Sequence, residues 1–435
     1  MRKRAYVLLF ALPLAALMCL VPASGVRAEE NPEPGPANRS GTSNGFQLAS
    51  TDKGTVTMKL LSYVRYLNQD RLDATYTDTF GNTSPVKRRQ DIHLNKVNIQ
   101  FMGWARSPKL RYLAYVWTSG TSQGQTSQVV VGGNLNYSVN KYVTLGGGIG
   151  ALPGVRSTEG TFPFWLSMDN RLIADEFFRP SYTMGVWASG EVTPKLEYHA
   201  MLGNNLSQFG VDAGQIDNGL NTVAVALKWY PTTGEFGALS GFGDFEQHDK
   251  VATRLGAHYT RSLETSQSQP SSDGFENVQI RLSDGSVIFK PGLFGDGIQV
   301  REATYQMTSA DAAVKYRGVA LEGEYYWRRI DNLDGPGVAG LPFTSFIDDG
   351  FQLQASVMAI PKTIMAYAGA SKVFGERGDP YDGRLGVTWY PYQDRVVWWN
   401  FEYLYTKRSP VGGASLPYVV GGNGDTFYTN FVLNF

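Results

Sequence analysis

The sequence has one cysteine, few charged residues and few histidines. Among its 435 residues Cys19 is the single cysteine, 18% are Asp, Glu, Lys or Arg, and 4 are histidines. A chain with one cysteine can form neither internal disulfides nor a multi-thiolate metal site. Beyond residue 28 it also lacks a continuously apolar stretch of about 18 residues, which excludes a transmembrane helix there. Its stability and any membrane contact must come from another kind of structure.

The first 28 residues have the layout of a secretory signal peptide. Basic residues at positions 2–4 precede an apolar run at 5–21, and the small-residue sequence ending at Ala28 suits cleavage. A membrane anchor fits less well because Pro13 interrupts the run, and the residue before Cys19 is too large for a lipid-modification signal. We expect export with cleavage after Ala28.

Cleavage would leave a mature chain without cysteine and with a small negative charge. It removes 4 of the 39 basic residues and none of the 39 acidic ones, so 35 basic residues remain. Nucleic acid is therefore not an expected partner. Residues 29–50 open with a Pro- and Gly-rich polar stretch, which predicts a flexible periplasmic segment ahead of a structured domain at 51–435.

Abundant glycine and aromatic residues follow a two-residue alternation. The chain contains 49 Gly, 24 Tyr and 23 Phe. In the last eleven residues the apolar face is formed by Phe427, Phe431, Leu433 and Phe435 together with Thr429. Such alternation is typical of strands in a membrane β-barrel, which satisfies every backbone group within lipid. A closing phenylalanine also resembles the C-terminal signal of bacterial outer-membrane barrels, so Phe431, Leu433 and Phe435 are predicted to be read by the barrel-assembly machinery.

Counting these alternating segments predicts sixteen strands, an even number as expected for a bacterial barrel. They are placed at 55–66, 92–104, 110–119, 129–138, 142–149, 182–191, 195–204, 221–230, 251–262, 302–315, 318–329, 351–360, 363–373, 381–390, 395–406 and 425–435.

The connections between the predicted strands alternate in length. Tight links follow most even-numbered strands, for example Arg106 to Lys109 and Tyr316-Arg317. Long segments follow most odd-numbered strands, at 67–91, 150–181, 263–301, 330–350 and 407–424. Outer-membrane barrels have short periplasmic turns and longer extracellular loops. The segment 231–250 breaks the rule, which predicts either that it folds back under the barrel or that the strand count is wrong there.

Part of the chain resembles the phosphate-selective porin O and P family. The resemblance lies in the sequence from Asp169 to Pro180, followed by Gly185-Val186, and in Leu145 to Pro163. It covers roughly residues 90–230 and the C-terminus. It implies a sixteen-stranded all-β, antiparallel outer-membrane porin, commonly a homotrimer, whose long third loop folds inward.

The predicted third loop, residues 150–181, mixes aromatic rings with charges. Because a merely solvated loop needs few rings, we expect it to pack inward and to form a charged pore constriction. The candidate constriction residues are Arg156, Glu159, Asp169, Arg171, Asp175, Glu176 and Arg179.

Strand positions opposite the apolar face are predicted to line the lumen. Eight are basic, namely Lys59, Arg65, Lys96, Lys228, Arg254, Lys315, Arg328 and Arg384, and five are acidic, namely Glu197, Asp311, Glu322, Glu324 and Glu402. This excess predicts a mild preference for small anions. Strict phosphate selection does not follow, because the sequence has no dense ladder of arginines. An ordinary polar lumen in which opposite charges pair is the alternative.

Other classes of protein remain open at this point. The histidines His93, His199, His248 and His258 are scattered, and no metalloprotease or nucleophile-elbow motif is present, so we expect no enzyme and no cofactor or metal. Glycines at 146, 147, 148 and 150 do not precede a helix pattern; we expect them to let the inward loop approach the wall. A barrel enzyme or a secreted carbohydrate-binding β-protein is the alternative function. Expected surroundings are outer-membrane lipid and lipopolysaccharide.

Overall fold

The computed structural model describes residues 45–121, 128–209, 211, 213–215, 219–270, 279–413 and 415–435. The predicted signal peptide and residues 29–44 lie outside these ranges. Within them, nineteen strands and one short α-helix, α1 at Ile173–Phe178, are formed. The strands are β1 Phe46–Thr51, β2 Gly54–Asp70, β3 Thr75–Thr77, β4 Thr83–Pro85, β5 Gln90–Ala105, β6 Ser107–Thr121, β7 Gln128–Asn140, β8 Val143–Ala151, β9 Tyr182–Thr193, β10 Leu196–Gly203, β11 Thr222–Trp229, β12 Ala252–Thr265, β13 Glu302–Tyr316, β14 Val319–Asp334, β15 Phe346–Ile360, β16 Ile364–Phe374, β17 Tyr381–Trp389, β18 Val397–Lys407 and β19 Gly424–Asn434.

Sixteen of these strands close into an antiparallel barrel. Strand β2 and strands β5 to β19 each pair with the next in chain order, and β19 closes the ring by pairing with β2 from Asp425↔Asp70 to Asn434↔Leu61. The predicted fold class and all sixteen predicted strands are confirmed. The period-two pattern succeeds because closure leaves one face of every strand outside and the other inside.

Strand β14 shows this division clearly. Outward Leu321 and Tyr325 are 56% and 50% exposed, whereas inward Glu322 and Glu324 are 3% and 4% exposed. Trp229 and Trp389 face outward at the ends of β11 and β17, where amphipathic rings suit a membrane interface. Trp327, expected at a strand end, faces outward in the middle of β14 instead.

Residues 46–50, which the sequence analysis placed in the flexible segment, form part of the sheet instead. They belong to β1, which pairs with β2 from Phe46↔Met58 to Thr51↔Gly54. Phe46 also packs edge-on against Phe435, with ring centroids 4.8 Å apart. The β1 hairpin thus continues the sheet beside the end of β19.

The tight connections lie at one end of the barrel, here called the turn end, and the long ones at the other, the loop end. The exception, 231–250, begins at the turn end and folds into the barrel. Phe236, Phe242 and Phe245 on this segment are all buried. The first of the two explanations offered for it therefore holds, and the strand count stands.

Candidate functional site

The interior of the barrel is narrowed by two inward-folded segments, residues 152–181 from the loop end and residues 231–250 from the turn end. The first leaves β8 and returns to β9, and Leu152 N donates to Ser181 O at 2.9 Å where its ends meet. The second meets it where Phe242 N donates to Phe164 O at 2.7 Å. We call them the loop-end segment and the turn-end segment.

Helix α1 fixes the loop-end segment to the far wall. The backbone N–H of Ile173 donates to Asp382 Oδ2 at 3.1 Å, and that of Ala174 donates to Ser371 Oγ at 3.0 Å. Both acceptors face inward from β17 and β16. Because the first N–H groups of a helix have no partner within it, wall side chains are needed to satisfy them.

Arg156 joins both segments to the wall. Its Nη1 lies 2.8 Å from Glu322 Oε2, its Nη2 donates to Gly241 O at 3.3 Å, and its guanidinium stands 4.1 Å from the centroid of the Phe242 ring. Arg156 is 1% exposed. A buried charge with this set of partners holds the segments together rather than facing an opening.

Glu159 belongs to a second buried network. Its Oε2 accepts from Arg254 Nη2 at 2.7 Å, and Arg254 Nε donates to Asp311 Oδ1 at 2.8 Å. Nε2 of His258 lies 3.0 Å from Asp311 Oδ2. Burial acts to raise the pKa of Glu159, but Arg254 and His258 outweigh it and hold that pKa below its usual value.

Four of the remaining constriction candidates, Arg171, Asp175, Glu176 and Arg179, form a cluster on and beside α1. Nη1 of Arg171 lies 3.2 Å from Glu176 Oε2, and Nη2 of Arg179 lies 2.5 Å from Glu176 Oε1. Ser157 Oγ donates to Asp175 Oδ1 at 2.9 Å, and burial raises the pKa of Asp175. These groups pack the segment internally.

Asp169 pairs instead with the wall formed by β2 and β5. Its Oδ2 lies 2.6 Å from Lys96 Nζ and accepts from Tyr63 Oη at 2.5 Å. Nearby, Arg65 donates to Asn430 Oδ1 at 2.8 Å and to Met168 O at 3.0 Å. Wall side chains therefore bind the loop-end segment at both Asp169 and Met168.

Most other predicted lumen charges lie inside the barrel and are engaged by neighbours. Lys228 Nζ lies 3.2 Å from Glu197 Oε2, and Arg328 Nη2 lies 2.6 Å from Asp348 Oδ2. Other contacts are made by Lys315 to Gly241 O, Arg384 to Asn170 O, Glu324 to Ser309 Oγ, and Glu402 to Tyr367 Oη. Two of these contacts join opposite charges, as in the alternative of an ordinary polar lumen, and the other four join a charge to a carbonyl or hydroxyl group.

Contacts from the turn-end segment also reach the wall. Asp244 Oδ2 accepts from the backbone N–H of Gly318 at 2.7 Å and from that of His248 at 3.2 Å, and Asp244 also binds the His248 ring. The hydrogen bond to Asp244 raises the pKa of His248. Burial acts to raise the pKa of Asp244, but the hydrogen bonds from His248 and Gly318 outweigh it and lower that pKa.

An open cavity of about 850 Å³ remains between the segments and the wall of β2 and β5 to β11. Lys59, Arg111 and Lys228 line it, and Glu159 is the one constriction candidate that does. The other six pack elsewhere in the loop-end segment, because their partners lie on α1, on the opposite wall or, for Asp169, at Tyr63 and Lys96 of β2 and β5. Aromatic side chains, including Trp104, Tyr115, Phe162 and Trp187, complete the lining.

Arg111, Trp104 and Tyr115 were missed as lumen residues in the sequence analysis. In the structure Arg111 and Tyr115 lie on the face of β6 opposite the exposed Val116. Alternation does not reveal this face, because apolar Leu113 and Trp117 lie on it as well. The glycines of β8 were also misassigned. A Cβ at Gly146 would lie 2.1 Å from Nε1 of Trp187, so this position makes room for an indole of the neighbouring strand and not for the inward loop.

In the part of the chain that the structure describes, no helix is long and apolar enough to cross a membrane. The same residues include no group of three or more His, Cys, Asp or Glu side chains placed to hold a metal ion.

Solved structures of outer-membrane proteins share this fold, although no family model and no curated protein matches the sequence. OmpT of Vibrio cholerae, folded in vitro, is 12% identical, with a TM-score of 0.54 covering 89% of this chain and 99% of that one. The anion-selective porin from Comamonas acidovorans is 9% identical, with a TM-score of 0.53 covering 88% and 100%. The outer-membrane channel DcaP of Acinetobacter baumannii is 8% identical, with a TM-score of 0.52 covering 90% and 99%.

These likenesses establish the architecture, a closed sixteen-stranded antiparallel barrel of the kind seen in bacterial porins. At 12% identity or less they establish the fold alone. Membership in the phosphate-selective porin O and P family remains a prediction from the resemblance noted above.

Proposed function

We propose that this protein is an outer-membrane porin that forms a water-filled channel for passive diffusion of small hydrophilic solutes and ions. The observation that carries the proposal is the open cavity beside two inward segments within a barrel whose outer face is apolar. A membrane barrel with a polar interior is the architecture of such channels. The porin-type neighbours support the same assignment.

A mild anion preference is the second part of the proposal. Three basic side chains, Lys59, Arg111 and Lys228, line the cavity against one acidic side chain, Glu159. Positively charged linings favour anions in pores. A phosphate-specific channel is not proposed, because Lys315, Arg328 and Arg384 are buried against carbonyl and carboxylate groups and form no row along the cavity.

The proposal extends to export and assembly. A signal peptide at 1–28 directs export. The barrel-assembly machinery recognises Phe431, Leu433 and Phe435, and the folded barrel is a homotrimer surrounded by outer-membrane lipid and lipopolysaccharide. One of the neighbours, OmpT of Vibrio cholerae, is described in a trimer form. No catalytic group is assigned.

Fractionation and electrophysiology test the proposal together. The full chain should be recovered with detergent-extracted outer membrane and migrate differently on gels before and after boiling. In a planar bilayer under a KCl gradient, its reversal potential should show that chloride is more permeant than potassium. Recovery as a soluble protein would refute the membrane assignment, and a cation-selective reversal potential would refute the anion preference.

A further inference from the structure

Two aromatic rings on the cavity wall lie over glycines of a neighbouring strand. Tyr115 pairs across β6 and β7 with Gly132, and a Cβ there would lie 2.5 Å from its Cζ. Trp187 pairs across β9 and β8 with Gly146 in the same way. Missing Cβ atoms let each ring lie along the wall, so that the ring presents a face rather than an edge to the cavity.

Each ring has a cation and an amide beside it on the same row of paired residues. Lys59 pairs with Gln100, and Gln100 pairs with Tyr115. Since adjacent strands are about 4.8 Å apart, the Lys59 and Tyr115 backbones lie roughly 10 Å apart with one inward amide between them. All three side chains line the cavity.

The second row repeats the order of cation, amide and ring. Arg111 pairs with Asn136, and Asn136 pairs with Gly146, over which Trp187 lies. Nε1 of Trp187 donates to Asn136 Oδ1 at 3.0 Å, which fixes the indole across the row. Trp187 is 8% exposed, so Tyr115 offers the larger ring surface to a solute.

We propose that the cavity holds a binding site for small aromatic carboxylates, with the carboxylate at Lys59 and the ring against Tyr115. The inference rests on the proposed channel function and names its solute class. Inorganic phosphate can pair with the Lys59 ammonium group but has no ring to stack against Tyr115. A planar anion gains from both, because aromatic stacking adds to the charge-assisted hydrogen bond.

Calorimetric titration of the full chain in detergent tests the site, with benzoate, acetate and phosphate as probes. Benzoate should bind more tightly than acetate or phosphate. Lys59→Gln should weaken benzoate binding about tenfold, the usual effect of losing a hydrogen bond to a charge. Tyr115→Leu should weaken it about 3- to 10-fold.

Conservative and distant variants serve as controls. Tyr115→Phe keeps the ring and should bind benzoate as the wild type does, and so should Arg301→Gln, which removes an exposed charge outside the cavity lining. Heat-dependent gel migration reports whether each variant folds. Should Tyr115→Leu fail to fold, Lys59→Gln carries the test, because the Lys59 side chain is half-buried at the cavity surface.

The outcomes separate this inference from the channel itself. Phosphate binding as tight as benzoate binding, or unchanged benzoate affinity in Lys59→Gln and Tyr115→Leu, overturns the site even if KCl conductance is normal. Benzoate binding that depends on Lys59 and Tyr115 in a protein with no conductance supports the site and overturns the channel function.

Discussion

Replacing Arg254 by Met should destabilise the barrel and release the loop-end segment. Arg254 is 0% exposed and lies 2.8 Å from Asp311 and 2.7 Å from Glu159. Met removes the cation and leaves two buried carboxylates, with His258 as the remaining basic neighbour. Breaking a buried ion pair in this way costs about 3 to 5 kcal/mol of unfolding free energy. We expect a loss in that range, together with noisier open-channel current.

Urea unfolding in detergent, followed by tryptophan fluorescence, measures the change. Arg261→Met is the matched control, since Arg261 lies on the same strand but is exposed, and it should alter stability little. Adding Glu159→Gln to Arg254→Met should recover part of the loss, because it removes one of the two orphaned charges. The reasoning fails if Arg254→Met unfolds at the same urea concentration as Arg261→Met.

Three further predictions concern the inward segments and the glycine wall. The pKa of His248 is raised above 6.5 and that of Asp244 is lowered below 3.8, so both groups are charged, and their contact holds the turn-end segment most firmly, between the two shifted pKa values. The contact weakens as pH rises through the His248 pKa or falls through the Asp244 pKa. Because the intrinsic rate of amide exchange itself rises with pH, the quantity to measure is the protection factor of the Gly318 amide relative to that intrinsic rate, which should fall toward alkaline pH in the wild type but not in His248→Gln. Gly146→Ala should cost about 1 to 3 kcal/mol by overpacking against Trp187, measured by urea unfolding, whereas Gly340→Ala, in open space, should cost far less. Replacing residues 234–246 by a short Gly-Ser turn should raise single-channel conductance, and unchanged conductance would show that this segment does not limit flow.

Strand number and position could be predicted from the sequence because the barrel imposes one rule on every strand. In every barrel strand the inward positions are polar and the outward positions apolar in environment. The residue types of Leu321 and Glu322 are therefore enough to predict which of them points outward and which inward. Segments whose structure depends on partners distant in sequence could not be predicted from this alternation. Strand β1 forms because Met58 and its neighbours offer a free edge beyond the end of β19, which no local pattern reveals.

The charges of the interior show the same limit. The aromatic content of residues 150–181 predicts an inward loop that carries Arg156 and Glu159, and alternation places Glu322 and Arg254 on the wall, but neither pattern says which groups meet. In the structure Arg156 pairs with Glu322 and Glu159 with Arg254, across more than 90 residues of sequence, and these pairs hold the loop against the wall. Arg111 was missed because its face of β6 also carries apolar Leu113 and Trp117, so the strand shows no clear alternation.

Single-channel recording of the purified full chain in planar bilayers tests the central claim most directly. The structure, with a cavity of about 850 Å³ beside two fixed inward segments, predicts discrete, ohmic current steps that persist without ligand or energy source. Correctly folded, heat-modifiable protein that inserts into the bilayer but gives no current steps would contradict the account.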